Sequence, residues 1–304
     1  MSEITFEDIK FEEQSGKVIV RLLKIFSTTL NNADLEKIGA FAVKDGELIF
    51  DNVSEKSALN KLLMLLQKAF EHLRNDVTGH SAVYIHRNSG IPLLGSAAFG
   101  IVDRNSSMIE VKPITGCNMN CIFCSVDEGL SSKKTNDFVV EEAYLVEECS
   151  KIVAFKKVAC QIVINTHGES LLYSRVAELV KDLKAIPNVT DVSLITNGTL
   201  LTRELIDRLA SAGLGSLNIS VNAITPEKAK ILQGTALYDA KKVQEMAEYA
   251  AKKVKVILAP VFVQGYNEGE LKKIALFAKK IGAKTGIQNF LRYSGGRNPA
   301  QQLP

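Results

Sequence analysis

The sequence predicts an α/β protein whose larger part is a parallel sheet with helical crossovers. Three observations predict it. Between residues 108 and 293, short β-rich apolar segments alternate with amphipathic helical segments. Turn residues such as Pro187 and Gly213 separate these segments. The first hundred residues lack this alternation, so we expect a small α+β accessory domain at 1–100 and an α/β core at 101–304.

The core is predicted to contain six strands, each but the last followed by a helix. The strands are expected at 108–115, 159–169, 189–198, 215–223, 254–263 and 284–293. The helices are expected at 137–155, 171–188, 202–213, 225–233, 237–253 and 268–282. Parallel strands need crossover connections of this length, and those crossovers are right-handed. Periodicity alone leaves an open doubly wound sheet and a partial barrel as alternatives.

The accessory domain is predicted from four segments. They are a strand or helix at 17–26, a hairpin turning at Asp45-Gly46, a long helix at 54–74 and a β segment at 82–87. Ser54 is the expected N-cap of the helix. Its apolar stripe is expected to be core and consists of Leu59, Leu62, Leu63, Leu66 and Phe70.

Composition excludes several classes of protein. The 304 residues are 46% hydrophobic and 23% charged, which is typical of a globular chain. No apolar run approaches the ~20 residues that a membrane helix needs. The acidic N-terminus has no apolar signal region, so a cytoplasmic location is expected. Five cysteines, three of them crowded, do not suggest a disulfide framework, and a net charge of +3 is too weak to indicate nucleic-acid binding.

The crowded cysteines are the main chemical signal. Cys117, Cys121 and Cys124 have the spacing C-x3-C-x2-C in a loop after the first predicted strand of the core. A structural zinc site usually closes with four ligands, whereas three thiolates leave one metal position open. A [4Fe–4S] cluster with one free iron fits that set. Buried structural thiols, or a zinc site completed by a distant ligand, are the alternatives.

Polar residues also stand at the ends of the later strands of the core. Because the carboxyl ends of parallel strands meet at one edge of a sheet, we expect these side chains to share a site with the cysteines. The residues are Thr166-His167-Gly168-Glu169, Thr196-Asn197-Gly198, Ser220, Asn222, Gln288 and Asn289.

The cysteine motif, with Phe123 just before its third cysteine, resembles the radical S-adenosylmethionine (radical SAM) superfamily. The resemblance covers about residues 108–293. The family's Gly-Gly-Glu element at the end of strand two is matched by Gly168-Glu169, with His167 in place of the first glycine. The region from Gly90 to Gly129 also resembles a little-characterised archaeal group of this superfamily, some of which carry a C-terminal RNA-binding TRAM domain.

The resemblance implies a partial (β/α)6 barrel with two cofactors, a [4Fe–4S] cluster and S-adenosylmethionine. Cys117, Cys121 and Cys124 would hold three irons, and the fourth would bind S-adenosylmethionine. Reductive cleavage would give a 5′-deoxyadenosyl radical that abstracts hydrogen from a substrate. A reductant such as ferredoxin or flavodoxin is implied as a partner.

The resemblance also assigns six cofactor-binding residues. Phe123 would pack near the adenine, Gly168 would let the backbone approach the methionine moiety, and Glu169 would face its amino group. Asn197, Ser220 and Asn222 would complete the set. Four of them have a structural alternative: Glu169 as a helix-start residue, and Asn197, Ser220 and Asn222 as polar residues of turns.

Two further cysteines, Cys149 and Cys160, are expected to be core thiols, so a second cluster and methylthiotransfer are disfavoured. His167 is expected to face the substrate. The substrate stays open among RNA, a peptide and a metabolite, with RNA modification favoured weakly.

Two rival classes of protein are an electron-transfer or structural iron–sulfur or zinc protein, and an RNA-binding module with a structural cluster. The first would not need Gly168-Glu169, and the second would need a basic, aromatic-rich patch.

Overall fold

The computed structural model describes residues 2–302, which divide into two compact units. The first unit comprises the described residues up to Tyr84 together with Thr135–Phe138. The second comprises Ile85–Lys134 and the described residues from Val139 onward. None of the described helices is both long and apolar enough to cross a membrane.

The first unit is mainly antiparallel. Its elements are β1 (Ser2–Ile4), β2 (Ile9–Gln14), β3 (Lys17–Leu22), β4 (Phe26–Asn31), α1 (Asn32–Glu36), β5 (Phe41–Lys44), β6 (Glu47–Phe50), α2 (Glu55–Phe70), β7 (Arg74–Asn75) and β8 (Ser81–Ile85). One sheet has the strand order β1-β6-β5. The other continues from β2 through β3, β4, β7 and β8 to a strand that comes later in the chain.

The predicted hairpin and long helix are both present in this unit. Asp45 and Gly46 adopt positive φ angles of 51° and 80° between β5 and β6, as a tight hairpin turn requires. The Ser54 hydroxyl accepts a hydrogen bond from the Ser57 amide and caps α2. The predicted apolar stripe is wrong at Leu63, which is 45% exposed, because Ala58, Leu62, Leu66 and Ala69 form the buried face of the helix.

The second unit contains the alternating elements. They are β9 (Gly100–Asp103), β10 (Met108–Lys112), β11 (Thr115–Gly116), β12 (Asn136–Val140, shared with the first unit), α3 (Glu142–Lys156), β13 (Cys160–Ile164), β14 (His167–Gly168), α4 (Val176–Ala185), β15 (Val189–Thr196), α5 (Arg203–Ser211), β16 (Ser216–Ile219), α6 (Pro226–Gln233), α7 (Ala240–Ala250), β17 (Lys255–Leu258), β18 (Val261–Phe262), α8 (Glu268–Ile281), β19 (Lys284–Thr285) and β20 (Gln288–Asn289). Short 3₁₀ turns lie at Arg87–Ser89 and Ser170–Leu172.

The main sheet of the second unit has the strand order β19-β17-β16-β15-β13-β10-β9. Its six strands from β10 to β19 are mutually parallel and lie in the order of the sequence, while β9 pairs antiparallel with β10. The predicted alternation of strand and helix is therefore confirmed as a mixed α/β fold. All carboxyl ends of the parallel strands meet at one edge, as parallel pairing demands.

Several predicted boundaries differ from the structure. The segment expected to begin helix α3 at 137 forms strand β12 through Val140, whose amide donates to the Pro113 carbonyl at 2.8 Å. The strand expected at 215–223 ends at Ile219. The predicted fifth strand is interrupted at Pro260, which has no amide hydrogen to donate. The predicted sixth strand is interrupted as well, and the second parts of the two strands, β18 and β20, pair with each other.

Candidate functional site

A cavity of about 310 Å³ lies at the carboxyl edge of the parallel strands in the second unit. Cys117, Cys121 and Cys124 line one side of it, and residues that follow β13, β15 and β16 line the others. The volume falls at the lower end of the ~300–1,000 Å³ typical of small-molecule pockets. The polar strand ends predicted from the sequence thus surround one cavity together with residues 117–128, which we call the cysteine loop.

Hydrogen-bond donors point at two of the three sulfurs. The Met119 amide donates to Cys117 Sγ at 3.4 Å, and the Glu128 amide donates to Cys124 Sγ at 3.3 Å. The third sulfur differs, because Cys121 Sγ lies 2.7 Å from Gln233 Oε1 and donates its own hydrogen there. Backbone amides directed at sulfur stabilise the thiolate form, in which cysteine binds metals.

The thiols face the cavity but are strongly desolvated by the loop around them. Burial, followed by the neighbouring Cys121, raises the pKa of Cys117 well above its ordinary value. Burial, followed by Cys124, raises the pKa of Cys121 to about 12. Both side chains are therefore neutral thiols at neutral pH when nothing is bound. A metal that binds them displaces these protons, because a coordinating thiol is deprotonated outright.

The cysteines provide a donor set that fits an iron–sulfur cluster. Among residues 2–302, no three His, Cys, Asp or Glu side chains are grouped closely enough to hold one metal ion. All three cysteines line the cavity, and a polynuclear cluster is bound by several thiolates that each hold a separate iron. The donor set and the adjoining space therefore fit a three-thiolate cluster with room beside it.

Close packing of the backbone explains why residue 168 is a glycine. It pairs with Gly116 across β11 and β14 and has a φ of +134°. A Cβ atom built on Gly168 would lie 1.9 Å from the Gly116 carbonyl oxygen. Only glycine fits there, because both the φ angle and the contact exclude a side chain. This pairing brings the residues that follow β13 against the cysteine loop, and Gly168 lines the cavity.

Glu169 is 1% exposed and is fully engaged by internal donors. Its carboxylate accepts from the Leu171 amide at 2.9 Å, from Thr196 Oγ1 at 2.6 Å and from the Asn197 amide at 2.7 Å. Burial raises the pKa of this carboxyl group, although the hydrogen bonds oppose that effect. Glu169 therefore starts the 3₁₀ turn and ties it to the end of β15, while still lining the cavity.

Asn197 belongs to a polar network beside Cys117. Its amide nitrogen donates to Asn118 Oδ1 at 2.9 Å and lies 4.0 Å from Cys117 Sγ. Its Oδ1 accepts from the Thr199 amide and hydroxyl, and Asn118 in turn donates to Thr199 Oγ1. The network fixes the loop after β15 to the cysteine loop. Asn118 was not recognised from the sequence, since it lies inside the motif spacing.

Ser220 and Asn222 lie beyond the end of β16 and both line the cavity. Asn222 is 1% exposed; its side chain accepts from the Val261 amide at 2.8 Å and donates to the Ser220 carbonyl at 3.2 Å. Asn222 thereby joins the loop after β16 to β18. The predicted pair is brought to one site, although by a loop and not by alternation along a strand.

The remaining predicted residues differ in placement. Phe123 lines the cavity, as do Gln288 and Asn289 of β20. His167 does not line it, so the structure does not support the expectation that His167 faces a substrate there. Burial, followed by the charge of Lys112, lowers the pKa of His167 to about 4. The imidazole is therefore neutral at neutral pH.

Sequence reasoning missed Gln233, which is 1% exposed and lines the cavity at the end of α6. Its carbonyl accepts from the Asn120 amide at 3.0 Å, and a Cβ on the next residue, Gly234, would lie 1.8 Å from the Asn120 carbonyl. A glutamine followed by a helix-terminating glycine resembles an ordinary helix end, so no local signal marked it.

The site therefore defines an α/β protein with a cavity at the carboxyl edge of its parallel strands and three thiols in the lining of that cavity. Residues 111–278 match the family model of the Radical SAM superfamily. The chain belongs to the radical SAM superfamily and is an enzyme. Members of this superfamily use a [4Fe–4S] cluster and S-adenosylmethionine and need an external reductant.

Curated relatives show similarity over part of their length. An uncharacterized protein of Methanocaldococcus jannaschii is 37% identical over 264 residues, which cover 84% of this chain and 60% of that protein. A GTP 3′,8-cyclase of Thermodesulfovibrio yellowstonii is 30% identical over 185 residues, which cover 59% of this chain and 54% of that enzyme. The chain thus spans between 54% and 60% of these relatives.

Solved structures share the fold. Streptococcus suis SuiB has a TM-score of 0.52 at 13% identity and is matched over 98% of this chain and 65% of its own. Methylornithine synthase has a TM-score of 0.51 at 14% identity, matched over 64% of this chain and 56% of its own. At these identities the likeness concerns the fold alone.

Proposed function

We propose that this chain reductively cleaves S-adenosylmethionine in the 310 Å³ cavity and uses the resulting radical to abstract hydrogen from a substrate. The observation that carries the proposal is the convergence of Cys117, Cys121 and Cys124 with the ends of the parallel strands on that one space. When bound, the cluster supplies the electron for the cleavage, and S-adenosylmethionine supplies the 5′-deoxyadenosyl group.

The protein residues in this proposal bind, orient and exclude water. The three cysteines hold the cluster as thiolates, and the Met119 and Glu128 amides stabilise two of them. Phe123, Asn197, Ser220 and Asn222 contact S-adenosylmethionine, and Gly168 gives its backbone access to the cavity.

Glu169 is proposed to face the ammonium group of S-adenosylmethionine. Three internal hydrogen bonds hold its carboxylate at the cavity, and Oε2, which accepts only the bond from the Asn197 amide, retains acceptor capacity for a further donor. A cation placed beside it favours the charged carboxylate and opposes the effect of burial on its pKa.

The architecture of the proposed enzyme is a partial (β/α)6 barrel formed by residues 101–304, with residues 1–100 as an accessory domain. Six parallel strands in sequence order support the barrel, because each crossover returns the chain to the neighbouring strand. The cavity residues all come from the proposed core range. The small domain carries its own hydrophobic core.

RNA modification is the substrate class that we favour. The support is the resemblance to the archaeal group in which some members carry a TRAM domain; the Methanocaldococcus relative is archaeal and longer than this chain. A purine nucleotide is the second candidate, because relatives named GTP 3′,8-cyclase are 28–32% identical over just over half of the chain. The electron donor is proposed to be a ferredoxin or a flavodoxin.

The test is anaerobic reconstitution with iron and sulfide, followed by measurement of dithionite-dependent 5′-deoxyadenosine. We expect about four irons per chain and 5′-deoxyadenosine that depends on the protein. Parallel reactions with cellular RNA, with GTP and with neither distinguish the substrate classes by which addition stimulates turnover. A colourless protein with stoichiometric zinc and no 5′-deoxyadenosine would contradict the proposal.

A further inference from the structure

The chain after β19 returns to the cysteine loop at the far side of the cavity. Gln288 and Asn289 pair with β18, and the Phe290 amide donates to the Phe262 carbonyl at 3.1 Å. Leu291 and Tyr293 then line the cavity. Residues 288–297 thus connect β20, which pairs with β18, to the cysteine loop near the start of the second unit.

Arg297 makes the contact at the end of this path. Its guanidinium donates to the Cys121 carbonyl at 3.2 Å, to the Glu128 carbonyl at 3.0 Å and to Asp127 Oδ1 at 2.8 Å. Its own amide donates to the Cys124 carbonyl at 2.8 Å. One residue, 169 positions beyond Glu128, therefore engages four residues of the cysteine loop.

The backbone beside Arg297 is pressed against the same loop. A Cβ atom on Gly296 would lie 2.7 Å from the Ser125 carbonyl oxygen. The Gly296 amide also donates to the Tyr293 carbonyl at 3.1 Å, which folds the segment into a turn at the point of contact. The close approach means that the loop and the segment are packed together and not merely linked by one side chain.

The ion pair in this contact is well sheltered. The side chains of Arg297 and Asp127 are 18% and 19% exposed. Burial alone would raise the pKa of Asp127, but the Lys133 amide and Arg297 outweigh it and lower that pKa. A charged, partly buried pair with further hydrogen bonds holds its geometry better than a pair at the surface.

We propose that Arg297 is a positioning residue that locks residues 121–128 into the shape that receives the cluster and closes the cavity with residues 288–297. A planar guanidinium suits this role, because its fixed fork reaches two carbonyls and a carboxylate at once, and lysine has only a single ammonium. Arg297 lies outside the family-matched region 111–278, so the lock is supplied by this chain's own C-terminal part. That the locked loop receives a cluster rests on the proposed function.

The first test needs no cofactor. Hydrogen–deuterium exchange of the anaerobic apoprotein should show amides at 118–128 and 288–298 exchanging at least about tenfold faster in Arg297→Ala, because the three hydrogen bonds donated by the guanidinium are lost. Arg297→Lys should fall between the two. The matched control is Arg292→Ala, whose exposed side chain contacts Gln301 and lies on the same segment. In Arg292→Ala, the amides of both segments should exchange at the wild-type rate.

The second test measures the cluster directly. After reconstitution, Arg297→Ala should lose iron to a chelator several-fold faster than wild type, and its midpoint potential should shift to more negative values because a positive charge beside the thiolates is gone. Arg297→Lys should shift the potential less. A purely structural role would leave the potential unmoved.

The outcomes separate this inference from the proposed function. Wild-type exchange at 118–128 in Arg297→Ala, or an increase that Arg292→Ala shares, would overturn the inference whatever the protein binds. If Arg297→Ala does not fold, Arg297→Lys decides, and wild-type exchange and potential in that variant would overturn it. A wild-type protein that takes up no iron would instead refute the proposed function, and the exchange experiment would still be decisive for the lock.

Discussion

The five cysteines occupy two different environments. Cys117, Cys121 and Cys124 line the cavity, whereas Cys149 and Cys160 are 0% exposed within the packed interior. Burial, followed by the neighbouring Cys160, raises the pKa of Cys149 to about 12, as expected for a buried thiol. The distinction drawn from spacing alone therefore corresponds to a physical one in the structure.

Replacing any of the three cavity cysteines by alanine is predicted to abolish cluster binding, since each removes one thiolate of three. Cys149→Ala is the matched control and should keep full iron at a cost of about 1 kcal/mol for a small buried side chain. Iron per chain and the visible absorbance of reconstituted protein are the measurements. Loss of iron in Cys149→Ala would mean that the ligand assignment is wrong.

Glu169→Ala is predicted to cost about 2–4 kcal/mol of stability, because the Leu171 amide, the Thr196 hydroxyl and the Asn197 amide lose their acceptor. It should also weaken S-adenosylmethionine binding about ten- to a hundred-fold. Glu169→Gln should be milder in both, since one oxygen acceptor remains. Thermal midpoints and anaerobic calorimetric titration measure the two effects.

The Glu169 result separates two roles. A lower midpoint with unchanged affinity in Glu169→Ala would mean that the carboxylate only holds the turn after β14. Weakened affinity in Glu169→Gln at a near-wild-type midpoint would instead show direct contact with the ligand.

His167 is predicted to make stability depend on pH. Its pKa is lowered from 6.5 to about 4 by burial and then Lys112, so the unfolded chain binds a proton in this window that the folded chain does not. The free energy of unfolding should therefore fall as pH decreases from about 6.5 to about 4. His167→Gln should remove about 1–3 kcal/mol of this loss.

Urea denaturation at pH 7 and pH 4.5 measures the His167 effect. The exposed His72→Gln variant is the control for loss of a histidine. If the free energy of unfolding changes equally between pH 7 and pH 4.5 in wild type and in His167→Gln, another group causes the pH dependence.

At the scale of elements, β11 and β14 are only two residues each, yet their pairing holds the cysteine loop against the residues that follow β13. Gly168→Ala is predicted to cost more than about 3 kcal/mol or to prevent folding, because its Cβ would lie 1.9 Å from the Gly116 carbonyl at a φ of +134°. Gly269→Ala in α8 is the control: nothing lies within 4 Å of its Cβ.

The two glycine variants are compared by chemical denaturation. The helical variant should be neutral or stabilised by up to about 1 kcal/mol, since alanine is the better helix former. Equal stability of the two variants would show that the β11–β14 contact is looser than described.

At the scale of the whole molecule, the first unit includes a strand from beyond its own sequence range. Asp137 of β12 is buried and accepts from Asn75 Nδ2 at 2.9 Å and from Thr78 Oγ1 at 2.6 Å. These contacts belong to the first unit, although residues 135–138 follow the cysteine loop in the chain.

A fragment of residues 1–100 alone is therefore predicted to be unstable, because the buried Asn75 amide and Thr78 hydroxyl lose their acceptor and β8 becomes an edge strand. Fusing residues 134–141 after residue 87 through a Gly-Ser linker should restore a cooperative melt. Circular dichroism compares the fragments, and an equally cooperative melt of the unfused fragment would show that β12 is dispensable.

The sequence predicted most of the second unit. Alternation of apolar β-rich and amphipathic segments is a local property, so the strands and helices were found within a few residues of their positions. Errors occurred where tertiary pairing overrides periodicity: Phe138 to Val140 pair as a strand although a helix follows at once, and Pro260 breaks a strand that looks continuous.

By itself, the sequence determined the α/β class, the three-cysteine loop and the polar strand ends, because these depend on residue type and short spacings. Only the tertiary structure decided that Gln233 contacts Cys121, that His167 is not among the residues lining the cavity and that Arg297 engages the cysteine loop. Contacts between residues more than a hundred positions apart depend on how the whole chain folds, and no local pattern encodes them.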